Sequence, residues 1–200
     1  MIVRSFATGK DRLVADLPTC VGGRCYRVDA VTFADRGVVF DRGAIGSQPS
    51  LVVRRAVGAK PETVRIANDP QPDLVPSSAG AAYYALARGW YRWDFGRNAP
   101  ALTGLPPSAQ PVRYEGGRWF MLDHTACSDG LSVDLGARRT VLDSAAAIRR
   151  LVNVAPDLCV IFAGLSFRGN RPLTTWSVVP RDSHTEAGVT SVILLGRPLR

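Results

Sequence analysis

The sequence predicts a mainly β protein, built from short antiparallel strands in a sandwich-like or barrel-like arrangement, with one amphipathic helix near residues 143–155. Three observations predict it. Its 19 glycines and 14 prolines are scattered without a period and cut the 200 residues into short segments. The apolar runs between them have strand length, and only one stretch repeats at helical spacing. A composition of 46% hydrophobic and 21% charged residues is enough to bury a core and excludes a disordered chain. No apolar run approaches the roughly 18 residues that span a bilayer, so no membrane span is expected. The opening MIVRSFATGKDR lacks the apolar stretch of a secretory signal. The chain is therefore expected to be soluble and made in a cytosol.

Taken in order, Ile2-Val3, Leu13-Val14, Tyr26-Arg27-Val28 and Gly37 to Phe40 read as strands separated by Gly, Pro and Asp. Leu51 to Val53 and Thr63 to Ile66 flank Gly58-Ala59-Lys60-Pro61 as a loose hairpin. Residues 68–78, with three prolines, read as a linker or long surface loop. The chain is then one β-rich domain, 1–200, or two sub-domains, 1–67 and 79–200, joined by that segment. In Trp90-Tyr91-Arg92-Trp93-Asp94-Phe95 the alternation puts Trp90, Arg92 and Asp94 on one face and Tyr91, Trp93 and Phe95 on the other, so both faces are expected to be covered. A Pro-rich loop, Asn98 to Pro111, leads to strands at Val112 to Tyr114 and Arg118 to Leu122. The helix carries Asp143 or Ser144 as its cap and a stripe of Ile148, Leu151, Val152 and Ala155, ended by Pro156. Strands return at Leu158 to Phe162, Thr174 to Val179 and Val189 to Leu195, the first and last apolar enough for burial on both faces.

The net charge of +8 suggests a polyanion, but its distribution argues otherwise. Only Lys10 and Lys60 are lysines, and the arginines are dispersed with no block longer than a pair. Dispersed arginine suits protein contacts better than a nucleic-acid groove, so nucleic acid is not the expected partner.

Two octapeptides nearly repeat, GGRCYRVD at 22–29 and GGRWFMLD at 116–123, each a glycine turn followed by a strand arm. The series Tyr83-Tyr84, Gly89 to Asp94, Gly117 to Asp123, Leu135-Gly136-Ala137 and Asp143 to Ile148 resembles the N-terminal, virion-anchoring region of bacteriophage tailspikes and tail fibres. The match runs from about Tyr83 to Pro156. The departures are Leu135 where the family has phenylalanine, Leu142 in place of an aspartate, and a glycine run reduced to Arg88-Gly89. The chain after Pro156 is too short for a polysaccharide-degrading β-helix, whose coils must stack on one another. The resemblance thus implies an anchor, adaptor or shortened fibre: a homo-oligomeric virion protein assembled in the host cytoplasm, with other virion structural proteins as partners and a host-surface glycan as a further one.

The aromatics Tyr83, Tyr84, Trp90, Tyr91, Trp93 and Trp119, with Arg92 and Arg118, are the candidate binding or interface set. Their readings rank as core first, subunit interface second and glycan-stacking surface third. Cys20, Cys25, His124 and Cys127 could form a Cys3His zinc site, though Cys-x2-Cys spacing is absent, and no cofactor is expected. A Cys20–Cys25 disulfide is sterically conceivable but would not be relied on in a reducing cytosol, and unreactive thiols are the default, Cys159 above all. Cys127 with His124 and Asp123 could be drawn as nucleophile and base, but sequence neighbours rarely reach triad geometry. No Gly-x-Ser-x-Gly elbow, phosphate loop or calcium loop is present, and no enzyme is expected.

Overall fold

A computed structural model of the chain describes residues 2–4, 9, 11–13, 20–21, 24–27, 31–34, 37–44, 51–56, 62–66, 73–78, 80–86, 88–125, 127–134, 139–181 and 190–198. At 2–4, 11–13, 20–21, 24–27, 42–44, 51–56, 65 and 190 it describes the backbone alone. The described residues form strands and one helix, the strands pair almost entirely antiparallel, and no sheet among them closes into a barrel. Contacts divide the chain into two compact units: residues 1–109 with 114–117, and residues 110–113 with 118–200. The division therefore falls near residues 110–117, and segment 68–78 supplies a strand to the first unit.

In the first unit, β1 (Ile2–Arg4) and β2 (Asp11–Leu13) form a two-stranded ribbon. A six-stranded sheet holds β3 (Cys20–Val21), β4 (Arg24–Arg27), β5 (Val31–Ala34), β6 (Gly37–Ala44), β7 (Leu51–Ala56) and β8 (Glu62–Arg65). Its order is β3-β4-β6-β7-β8, with β5 also on β6. A second sheet, in the order β12-β11-β10-β9, is made by β9 (Asp73–Val75), β10 (Ala81–Leu86), β11 (Gly89–Asp94) and β12 (Ala101–Leu102). Ala34, Val39, Val64 and Ile66 meet Ala82, Tyr84 and Trp93 between the two sheets, which makes this core that of a sandwich. Both Pro-rich stretches thus contribute a short strand. Proline lacks the N–H for a ladder, and β9 and β12 are the two edges of their sheet, where the chain needs fewer partners.

The second unit is built on one sheet. Its strands are β13 (Pro111–Glu115), of which residues 114–115 are grouped with the first unit, β14 (Arg118–Thr125), β15 (Ser128–Asp134), β16 (Arg139–Ser144), β17 (Leu158–Arg168), β18 (Arg171–Pro180) and β19 (Thr190–Leu195). The order is β13-β14-β15-β17-β18-β19, with β16 also on β15. Gly116 and Gly117, at φ of 56° and 80°, close the β13–β14 hairpin in a conformation that a side chain would strain. The core gathers Phe120, Leu131, Val133, Ile148, Val160, Trp176 and Val178. It includes an edge-to-face pair of Phe162 and Trp176 with centroids 5.6 Å apart.

Helix α1 (Ala145–Val152) is shorter than its periodicity suggested. Ser144 is the cap, its hydroxyl accepting the Ala147 N–H at 3.3 Å. Asn153 ends the helix in the left-handed conformation, three residues before Pro156, and the Val154 N–H closes onto the Arg149 carbonyl. The stripe is also displaced: Ala145 and Ile148 are buried, whereas Leu151, Val152 and Ala155 face solvent. Two turns present only one pair of positions to the sheet. Strand β19 likewise departs from expectation, since its residue Ile193 is 64% exposed on an edge strand rather than buried on both faces.

Strand β15 shares one edge between two partners. It pairs with β17 in parallel at a single position, Ser128 opposite Val160, and from Gly130 onward with β16. Next to that point Cys127 and Cys159 form a disulfide with a Cα separation of 4.7 Å. The expectation of unreactive thiols is corrected here. The parallel pairing puts the residues preceding Ser128 and Val160 side by side, which a spacing of 32 residues does not announce. On loop-entropy grounds, a cross-link of that span stabilises by about 3–4 kcal/mol. Urea unfolding of a Cys127→Ser/Cys159→Ser chain is expected to show that loss, with reductant lowering the Tm of the wild type more than that of the variant.

Candidate functional site

Of the aromatic set, Tyr83, Tyr84, Trp90, Tyr91 and Trp93 lie in the first unit and Trp119 in the second. Tyr83, Tyr84, Trp90 and Trp93 are buried, and both indole N–H groups are turned onto the chain itself. The Trp90 indole N–H donates to the Ala109 carbonyl at 3.1 Å, and that of Trp93 to the Arg97 carbonyl at 2.9 Å. Tyr84 stacks on Tyr91 at 5.7 Å, and Tyr83 lies 4.4 Å from Tyr114. Arg92 is exposed, 5.9 Å above the Tyr83 ring and paired with Asp94 at 2.6 Å. Burial pushes the phenols of Tyr83 and Tyr84 well above the ordinary tyrosine range. The buried rings of Tyr83, Tyr84, Trp90 and Trp93 present no open face on which a pyranose could stack, whereas Tyr91 and Trp119 are half-buried. The tryptophan-rich alternation is thus the mark of a strand covered on both sides.

The proposed metal ligands do not meet as a set. Cys127 is held in its disulfide, so it serves neither as a thiolate ligand nor as a nucleophile. Cys20 and Cys25 are cross-strand neighbours on β3 and β4, and their side chains lie outside the described residues. Among the described residues, no three His, Cys, Asp or Glu side chains gather as a metal site. His124 does have a carboxylate partner, but it is Asp129 across the hairpin rather than its neighbour Asp123. Its Nδ1 lies 2.7 Å from Asp129 Oδ1, while Asp129 Oδ2 accepts the Phe162 N–H at 2.7 Å. Asp123 instead pairs with Arg139 at 3.1 Å. Thr125 donates its hydroxyl to the Ser128 carbonyl. The arrangement braces the hairpin end against β17, and it orients an imidazole without placing Cys127 or Thr125 as a free nucleophile.

The second unit also carries a cleft of about 810 Å³. One wall is β16, from Thr140 to Asp143, and the other is Pro172 at the start of β18 together with Leu195 to Pro198. Arg118 and Val133 complete the lining. A bulge between Leu131 and Ser132 leaves Leu142 as the extra residue, because Leu131 faces Asp143 while Ser132 faces Val141. The bulge turns Asp143 to the side where β18 runs, and its Oδ2 accepts the hydroxyl of buried Thr174 at 2.7 Å. Burial raises the Asp143 carboxyl above its ordinary range, with the Thr174 hydrogen bond pulling the other way. The second wall is clipped in place. The Gly196 N–H donates to the Pro172 carbonyl at 2.7 Å, and a Cβ at Gly196 would stand 2.7 Å from the Pro172 ring.

Of the residues singled out from the sequence, the cleft includes Arg118 alone, while Trp119 is half-buried beside it on β14. Asp143, Leu195 and Arg197 went unremarked as site residues. The only local signal was the competition between Asp143 and Ser144 for the helix cap: once Ser144 takes it, Asp143 is free for another partner. Comparison of the chain with protein-family models, with curated proteins and with solved structures returns no match.

Asp143→Asn keeps an acceptor for Thr174 and removes the charge that burial penalises. A carboxyl whose pKa is raised in the fold costs stability above that pKa and none below its unfolded value. The variant is therefore expected to be more stable than wild type at pH 7, with the gap closing as the pH falls through the carboxylate range. Urea unfolding at pH 7 and pH 4 reads both. In the aromatic core, the buried Tyr84 hydroxyl has no hydrogen-bond partner among the described residues. Tyr84→Phe is expected to gain about 1 kcal/mol in the same assay, where an exposed binding tyrosine would show no change.

Proposed function

We propose that this chain is a structural assembly protein that works by burying strand faces against neighbouring subunits, as an anchor or adaptor of the tail-fibre or tailspike-base class in a tailed bacteriophage virion. The observation that carries the reading is strand β5. Val31 and Phe33 stand 52% and 56% exposed, while Thr32 and Ala34 between them are buried. This strand turns its large apolar side chains to water and its smaller ones inward; it is laddered to β6, and at its far end Ser77 bridges Ala34 and donates its N–H to the Phe33 carbonyl at 3.0 Å. An apolar edge of that kind invites pairing and is kept where a partner covers it.

The likeness of Tyr83 to Pro156 to virion-anchoring regions supports the same reading. The dispersed arginines suit it too, since guanidinium groups pair with carboxylates and stack on aromatics at protein interfaces. The Cys127–Cys159 disulfide fits a component that is assembled in the host cytoplasm and ends in the oxidising medium outside the cell. Other virion structural proteins and further copies of the chain are then its partners.

Light scattering coupled to size-exclusion chromatography tests the reading directly. The wild type is expected to elute as a homo-oligomer. A trimer fits a fibre, and a hexamer or dodecamer fits a tail or neck ring. Phe33→Asp is expected to shift it toward monomer with little change in Tm, because the side chain is exposed within its own unit. A wild type that stays monomeric at 100 µM (roughly the top of the range for weak assemblies) would count against the proposal.

A further inference from the structure

We infer that Cys20 and Cys25 are a redox-active pair, which closes to a disulfide across the β3–β4 hairpin in an oxidising medium and opens in a thiol-rich one. The inference stands apart from the assembly reading and rests on strand register. β3 and β4 pair antiparallel, with Cys20 opposite Cys25 and Val21 opposite Arg24. Two residues connect Val21 to Arg24, so that pair is the hydrogen-bonded kind that closes a short hairpin. Ladder pairs alternate in kind, and Cys20–Cys25 is therefore a non-hydrogen-bonded pair, in which the Cα atoms stand about 4.5 Å apart and both residues belong to one face. That separation lies within the span of a disulfide. It is also close to the 4.7 Å of Cys127 and Cys159, which are bonded.

Place in the sheet separates the two cysteine pairs. β3 is two residues long and, among the described residues, pairs only with β4. β4 joins β6 at Tyr26 and Arg27, beyond the cysteine pair. Cys20 and Cys25 thus stand on an arm two strands wide, whose local opening costs little. Cys159, by contrast, is 6% exposed within the 11-residue β17, a strand with neighbours on both sides. A small thiol therefore reaches a Cys20–Cys25 bond more readily than the Cys127–Cys159 bond. Closure is exchange with a low-molecular-weight disulfide such as oxidised glutathione. One cysteine thiolate attacks it, forming a mixed disulfide and expelling one small thiol; the second thiolate attacks the protein sulfur of that mixed disulfide and expels the other. Two protein thiols are oxidised, one small disulfide is reduced to two thiols, and the two cysteine protons end on those thiols.

The test equilibrates the full chain in glutathione buffers running from mostly reduced to mostly oxidised, alkylates the free thiols and maps tryptic peptides by mass without reduction. Cleavage after Arg24 puts the two cysteines on separate peptides, residues 13–24 and 25–27, so closure reads as a link between them. Cys127 and Cys159 fall on residues 119–138 and 151–168. The first two peptides are expected to link reversibly within the series. The second two are expected to stay linked in buffers about tenfold richer in reduced glutathione than those that open the first pair. Cys20→Ser and Cys25→Ser are each expected to end as a glutathione adduct on the cysteine that is left. In guanidinium chloride the tendency of Cys20 and Cys25 to close is expected to fall about tenfold, because register rather than sequence spacing brings the thiols together. Four outcomes overturn the inference: peptides 13–24 and 25–27 that never link, a link that a non-reducing gel shows to run between chains, equal closure in the denatured chain, or opening at the same buffer ratio as the Cys127–Cys159 bond.

Discussion

One edge of β15 cannot serve two strands along its whole length, and the second unit is organised around that constraint. β17 holds the edge at Ser128, and β16 holds it from Gly130 onward. Where β16 takes over, the Phe162 N–H finds the Asp129 carboxylate in place of a backbone carbonyl. The Cys127–Cys159 bond ties the fork at its origin, and His124 braces Asp129 from the solvent side. A buried carboxylate is tolerated there because both of its oxygens have partners. Beyond the fork β16 separates from β17, and the cleft opens between β16 and the far ends of β18 and β19. The site is thus a consequence of strand pairing rather than a pocket carved into a finished core.

The first unit distributes its apolar residues differently. Trp90, Trp93, Tyr83 and Tyr84 are buried there, where large rings bury the most area and the indole N–H groups can still reach a carbonyl. Among the described residues of this unit, the large apolar side chains most exposed are Val31 and Phe33 on β5 and Leu102 on β12. Aromatic density therefore marks the interior, and the surface signal is the inverted alternation of β5. Rank by residue type would have pointed to the wrong place, because burial follows the face a strand turns to its neighbour rather than the value of the side chain as a ligand.

Much of the secondary structure was legible from the sequence. The strands at 37–40, 51–53, 63–66, 89–94, 118–122 and 174–179 lie where alternation and turn residues put them, and Gly116-Gly117 announces its hairpin. The helix was legible in place but not in the face it buries, because its stripe was read on to Ala155 whereas Asn153 stops the helix after Val152. The short edge strands β9 and β12 were hidden in proline-rich stretches, since an edge strand needs few ladder donors and so tolerates proline. Of the cleft, the sequence offered Arg118 alone, and for another reason.

What the sequence determined by itself is local: the period of each apolar run, the turns between them, the helix start at Ser144 and the dispersal of the arginines. Tertiary structure alone decided that Cys127 meets Cys159, that Asp129 meets Phe162 and that Asp143 meets Thr174, pairs separated by 32, 33 and 31 residues. The near-equal separations have one origin. All three pairs join the β15–β16 region to the β17–β18 hairpin, the two segments that the parallel contact at Ser128 brings together. Alternation and turn chemistry act between residues a few positions apart, whereas register is chosen by the packing of whole faces, and no short string of residues contains it.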